Sequence, residues 1–142
     1  MTSDLDKAFI EEFGALSLDI QANELQGKIQ MFFRLIKQKV SLKELAETFG
    51  VKNQEIDAAM ENFRVLGIVE EIHEKGAPVY VFKGYPPEMK EIVELFPERK
   101  KKLKSSVKNL QLLVEKARKE GHNVDKYVAV LEAVNQDFGI SE

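Results

Sequence analysis

The chain contains no cysteine, which excludes disulfide cross-links, zinc-thiolate sites and thiol catalysis. Long apolar runs are missing as well. Stretches such as Val79-Tyr80-Val81-Phe82 are short, far below the roughly 20 apolar residues that span a bilayer. The opening segment Met1-Thr2-Ser3-Asp4-Leu5-Asp6 is acidic and has neither the basic nor the apolar region of a secretory leader. No glycine-rich phosphate loop is present, because the eight glycines are dispersed at the ends of expected elements. Excess charge is lacking too: Lys+Arg is 21 against Asp+Glu 24, a net −3 that does not advertise a polyanion partner. What is there, 142 residues of which 44% are apolar and 32% charged, has the size of one compact domain. The expectation is a soluble, cytoplasmic protein with no membrane partner.

Charge is more informative by segment. Residues 1–26 carry −5, residues 27–40 carry +4 from Lys28, Arg34, Lys37 and Lys39, residues 41–85 carry −3, residues 86–120 carry +4, and residues 121–142 carry −3. Blocks of alternating sign let one copy's surface complement another's; solvated helix faces give the same pattern.

Ser3 followed by Asp6 opens a helix in the manner of a capping box, and Leu5, Phe9, Phe13, Leu16 and Ile20 follow at helical spacing. Gly14 inside that stripe costs about 1 kcal/mol relative to Ala and marks either a weak point or a close approach. A second helix is read from Leu25, Ile29, Phe32, Phe33 and Ile36. Ser41-Leu42-Lys43-Glu44 is a full capping box that starts a short helix with Leu42, Leu45, Ala46 and Phe49 inward. Gly50 ends it, with Val51 plugging the space between helices. The next helix runs from Lys52 or Asn53 to Val65 and buries Ile56, Ala59, Met60 and Phe63, which makes a helix-turn-helix.

After Leu66-Gly67 the period drops to two. Ile68–Ile72 and Val79–Phe82 flank Glu74-Lys75-Gly76-Ala77-Pro78, a turn rich in strand breakers, and together they read as a two-stranded hairpin. A helix-turn-helix followed directly by a hairpin is the order of a winged helix. Beyond Gly84-Tyr85-Pro86-Pro87, a helix with Met89, Ile92, Val93 and Phe96 is interrupted at Pro97. A long helix then resumes, with Leu103, Val107, Leu110, Val114 and Ala117 at the 3.5-residue repeat of a coiled-coil seam. Asn123 caps a last helix whose apolar face includes Leu131, Val134 and Phe138. A single wing domain offers no obvious surface for so much extra helix, so a homodimer is expected, with Leu103, Val107, Leu110, Val114, Leu131 and Phe138 as dimerisation residues. The alternative is that these helices fold back on their own domain.

Phe9-Ile10-Glu11-Glu12-Phe13-Gly14, Gly27, the run from Leu42 to Val51, and Leu66-Gly67-Ile68-Val69-Glu70 together resemble the GbsR branch of the MarR-like transcriptional regulators over roughly residues 7–85. The resemblance implies a winged-helix homodimer that binds operator DNA, with terminal helices forming the dimer and, in some members, a small effector altering DNA affinity. On this reading the fold is mainly α with a small β part: residues 1–26 a dimer-associated helix, 27–85 the winged helix-turn-helix, and 86–142 the C-terminal dimerisation region.

The candidate DNA-binding residues are Lys52, Asn53, Gln54, Asp57 and Ala58 on the recognition helix and Lys75 on the wing. The pattern departs from the family at this helix. Burying Ile56, Ala59 and Phe63 turns Glu55, Asp57, Ala58 and Glu61 outward, and three carboxylates oppose contact with a polyanion. Asn53 or Gln54 can pair with adenine, and Asp or Glu can accept from cytosine, so sequence reading stays chemically open. Family wings commonly carry arginine near the tip; here Lys75 alone is placed to touch a phosphate. The alternative reading is therefore a winged-helix protein interaction module with weak or no DNA binding.

Arg99, Lys100, Lys101, Lys102, Lys104 and Lys108 place six cations in ten residues. This cluster is either a sequence-independent phosphate contact or a solvated helix side. His73 and His122 lack any ligand spacing and read as surface residues, so no metal and no cofactor are expected. Ser41 is explained as a cap, and Ser105-Ser106 has no base beside it, so the chain is not expected to be an enzyme. Phe9, Phe13, Phe32, Phe33, Phe63, Tyr80 and Phe82 read either as core or as the lining of an effector pocket.

Overall fold

A computed structural model describes residues 3–19 and 23–140. Helix α1 (Asp4–Asp19) starts where its cap is written: the Asp6 amide donates to Ser3 Oγ at 3.0 Å and the Ser3 amide to Asp6 Oδ2 at 3.2 Å. Phe9, Ile10, Phe13 and Leu16 are its buried stripe; Ile20 lies outside the described residues. Gly14 is a close approach. A Cβ there would sit 2.9 Å from Lys28 Cγ on α2 (Glu24–Leu35), so the glycine lets the two helices meet.

Strand β1 (Lys39–Ser41) follows, then α3 (Leu42–Phe49) and α4 (Asn53–Val65). Ser41 caps α3 by accepting from the Glu44 amide at 3.0 Å. The expected return half of the capping box is replaced, since the Glu44 carboxylate instead pairs with Lys37 Nζ at 2.7 Å and Ser41 itself lies in the sheet opposite Val79.

Strands β2 (Val69–Glu74) and β3 (Ala77–Phe82) form the expected hairpin, but the sheet has three antiparallel strands in the order β1-β3-β2 rather than two. β1 pairs with β3 through Lys39↔Val81, Val40↔Tyr80 and Ser41↔Val79. The hairpin turn is also tighter than the five-residue break expected: Lys75 (φ 54°) and Gly76 (φ 78°) alone form it, and Ala77 and Pro78 belong to β3. Two consecutive positive φ angles are the signature of a primed turn that matches strand twist. Pro78 is tolerated because β1 reaches only to Val79, leaving the proline on a locally free edge.

Helices α5 (Met89–Glu94), α6 (Pro97–Lys119, with proline at its first position) and α7 (Asp125–Phe138) complete the chain. α6 packs on α1, α5 and α7, while α4 packs on α3, β2 and α2. One apolar cluster runs through both groups, from Phe9 and Ile29 through Ile56 and Tyr80 to Leu110 and Val134. Leu103, Val107, Leu110, Val114, Leu131 and Phe138 are each less than one tenth exposed within the single chain. Their stripes are thus covered by the chain's own helices, and the residues left outside on α6 are Leu112 (65% exposed) and Leu113 (40%). Among the described residues no helix is long and apolar enough to cross a membrane.

Candidate nucleic-acid interface

The turn between α3 and α4 is built by one glycine. Gly50 adopts φ 65° and ψ 37°, a left-handed conformation that costs other L-residues about 1–2 kcal/mol. The Val51 amide then donates back to the Ala46 carbonyl at 3.0 Å, and Val51 packs half-buried on the core. α4 leaves this corner with Ile56, Ala59, Met60 and Phe63 buried, and the Gln26 side-chain amide holds its back by donating to the Ala59 carbonyl at 3.2 Å.

That packing fixes the outer face. Lys52, Asn53, Gln54, Glu55, Asp57, Ala58 and Glu61 are all exposed. Lys43, on the first turn of α3, joins Lys52, Asn53 and Gln54 around an open groove at the corner; sequence reasoning passed over it, though an exposed lysine in a helix's first turn was visible. Lys75 is exposed at the hairpin tip, on a different element from the α4 residues.

Arg64 is the other residue missed. Its guanidinium meets Glu61 at 2.7 Å, Glu71 of β2 at 3.0 Å and Asp57 at 3.1 Å. Glu61 first, and Asp57 after it, hold this arginine charged even more firmly than usual, against the opposing effect of burial. Two of the three outward carboxylates of α4 are therefore partly neutralised from within, and α4 is clamped to the hairpin. Beneath this clamp Tyr80 is fully buried, and its hydroxyl has no hydrogen-bond partner among the described residues. Burial, with the Glu71 charge second, pushes it up to about 12.

The basic block of residues 27–40 is used up internally. Lys28 pairs with Glu24 (3.3 Å) and Glu11 (3.6 Å), Arg34 with Asp137 (2.6 Å), Lys37 with Glu44 (2.7 Å), and Lys39 with Glu74. The cluster at 99–108 starts α6, in the other packing group from α4; within it Lys100 pairs with Glu94, and Arg99 stacks 4.5 Å from the Phe96 ring centre.

His73 and His122 are exposed, and no three His, Cys, Asp or Glu side chains converge for a metal among the described residues. Phe9, Phe13, Phe32, Phe33, Phe63 and Tyr80 are core residues, and Phe82 stacks on Phe33 at 5.4 Å. Of these aromatics Phe13 also borders a small cavity beside α5.

No protein-family model matches the chain, and no curated protein matches it. Among solved structures, one described as the crystal structure of a transcriptional regulator aligns with 94% of this chain and 87% of its own, at 17% identity and a TM-score of 0.50. That likeness shows a shared fold, mostly helical with a small three-stranded antiparallel sheet.

Proposed function

We propose that the chain is a DNA-binding transcriptional regulator of the winged-helix type that acts as a homodimer, with α4 entering the major groove. The observation that carries this reading is the α3–Gly50–α4 corner, which leaves Lys52, Asn53 and Gln54 together and exposed at the leading end of α4, ahead of its acidic stretch. Lys43 and Lys52 supply phosphate contacts, Asn53 and Gln54 base contacts to adenine, and Lys75 a backbone contact from the hairpin tip. Likeness in fold to a transcriptional regulator is consistent with this role, and so is the sequence resemblance to the GbsR branch. The exposed Leu112 and Leu113 of α6 are the surface on which we seat the second copy, and major-groove binding by both copies requires their α4 helices to lie about 34 Å apart, one duplex turn.

The test is fluorescence anisotropy of labelled genomic fragments titrated with the chain at several salt concentrations. Affinity falls with salt, and Lys52→Ala reduces the slope by about 0.9, the value of one phosphate contact. Glu55→Lys with Asp57→Lys raises non-specific affinity. No retention even at low salt, together with no gain from the charge reversals, transfers the outer face of α4 to a protein partner, the reading favoured by its residual acidity. Sedimentation checks assembly separately: the dimer has twice the 16.2 kDa chain mass, and Leu112→Lys with Leu113→Lys returns it to monomer.

A further inference from the structure

A cavity of about 200 Å³ lies between α1, α2, α5, α6 and α7. Phe13, Met89, Val93, Leu103 and Phe138 give it apolar walls, and Gln30 adds one amide. At its mouth stand Ile92 (39% exposed) and Phe96 (43%), apolar side chains left in water at the edge of an apolar hole. Arg99 closes the rim. It is the one charged residue of the lining, and no carboxylate lines the cavity at all. Its guanidinium stacks on Phe96, 4.5 Å from the ring centre, and meets no carboxylate among the described residues. Stacking engages the guanidinium face and leaves its edge, which carries the N–H donors, open to an anion.

We propose that this cavity is a binding site for a small amphipathic monoanion, a short acyl carboxylate whose tail lies against Phe13, Val93 and Leu103 while its head group is held by Arg99. Size, wall chemistry and charge each select within that class. The volume is that of roughly seven water-sized groups at ~30 Å³ each, which suits a tail of about six or seven carbons and excludes a long lipid chain. Apolar walls with few polar groups, here Gln30, Tyr85 and Arg99, describe a site that binds by desolvating a tail and orienting a head. A lone cation at the mouth rejects an amine of the same length, which would meet the guanidinium head-on. None of these steps depends on how α4 is used.

The experiment is calorimetric titration of the full chain with sodium octanoate, and with octylammonium chloride as the probe of equal tail and opposite charge, each to about 10 mM. Octanoate binds saturably and raises the thermal midpoint, and octylammonium binds at least about tenfold more weakly. Arg99→Glu, a change at an exposed position, weakens octanoate about tenfold, while loss of the Phe96 stack lowers the unliganded midpoint by no more than about 3 °C. Val93→Phe fills the cavity and abolishes octanoate binding in a chain that circular dichroism shows to be folded. Equal binding of both probes, no saturation by octanoate, or undiminished binding by Val93→Phe each overturns the proposal. So does octanoate binding that disappears as the chain self-associates, because the mouth then belongs to a second copy.

Discussion

Replacing Asp6 by Asn keeps the volume of a buried side chain, removes its charge and turns one of its two acceptor oxygens into a donor. Asp6 is 3% exposed at the first turn of α1, where it accepts from the Tyr127 hydroxyl at 2.8 Å and the Ser3 amide at 3.2 Å and pairs with Lys126 Nζ at 3.0 Å. Ser3 Oγ lies 2.8 Å from the same hydroxyl, so one carboxylate caps α1 and ties it to α7. Losing a charge-assisted hydrogen bond in this setting costs about 1.5–3 kcal/mol. Disrupting the cap costs about 1 kcal/mol, and the half-exposed lysine adds less than about 1 kcal/mol. Part of this is recovered because Asn Oδ1 still accepts, leaving about 3 kcal/mol, or roughly 9 °C in the thermal midpoint of a chain this long. Burial alone would raise the Asp6 pKa, but the bonds from Tyr127, Lys126 and the Ser3 amide outweigh it and hold the group below the ordinary carboxylate range. A depressed native pKa gives stability that is fully present above the unfolded value of about 3.9 and is lost as pH falls through the native one. Thermal unfolding followed by far-ultraviolet dichroism should therefore show a constant gap between parent and Asp6→Asn from pH 8 to about pH 5, closing below about pH 4. A gap under about 2 °C at pH 7, or one that persists unchanged to pH 3, refutes the reasoning.

Lys75→Asn relieves a positive φ on a long side chain and should stabilise the chain by about 0.5–1 kcal/mol in urea titration, whereas Gly76→Ala should destabilise it by about 1 kcal/mol or more. Leu110→Ala, at a fully buried site, should cost about 2–5 kcal/mol and leave self-association unchanged; loss of the dimer would place Leu110, rather than Leu112 and Leu113, in the seam between copies. Asp137→Asn strips the carboxylate from Arg34, whose side chain is only 5% exposed, and should cost about 2–3 kcal/mol, of which Arg34→Met in the same chain restores part. Strict additivity of those two changes would contradict the coupling.

The inward residues of α4 and the glycine corner could be read directly, because Ile56, Ala59, Met60 and Phe63 leave a 3.6-residue helix one buried side. The Ser3 cap was equally plain. Strand β1 was not, since three residues around one buried apolar position, Val40, are too few for a period of two to show. The 3.5-residue spacing on α6 reports that one side of the helix is covered and is silent on whose chain covers it; here α1 and α7 do so. Charge behaved likewise. The block 27–40 reads as free cation until folding sets Glu11, Glu44, Glu74 and Asp137 beside it, and the outward acids of α4 read as unopposed until Arg64 turns back on them.

Arg34 has a mechanical consequence. It leaves α2, lies 5.7 Å from the Phe82 ring centre at the base of the hairpin and 5.3 Å from that of Tyr85, and ends on Asp137 near the close of α7. Tyr85 in turn meets Phe138 at 4.9 Å. A guanidinium this deeply enclosed cannot surrender its carboxylate cheaply, so it works as a rivet through three plates. Drawing the last helix away from the hairpin would have to break that ion pair or pull the guanidinium off both rings.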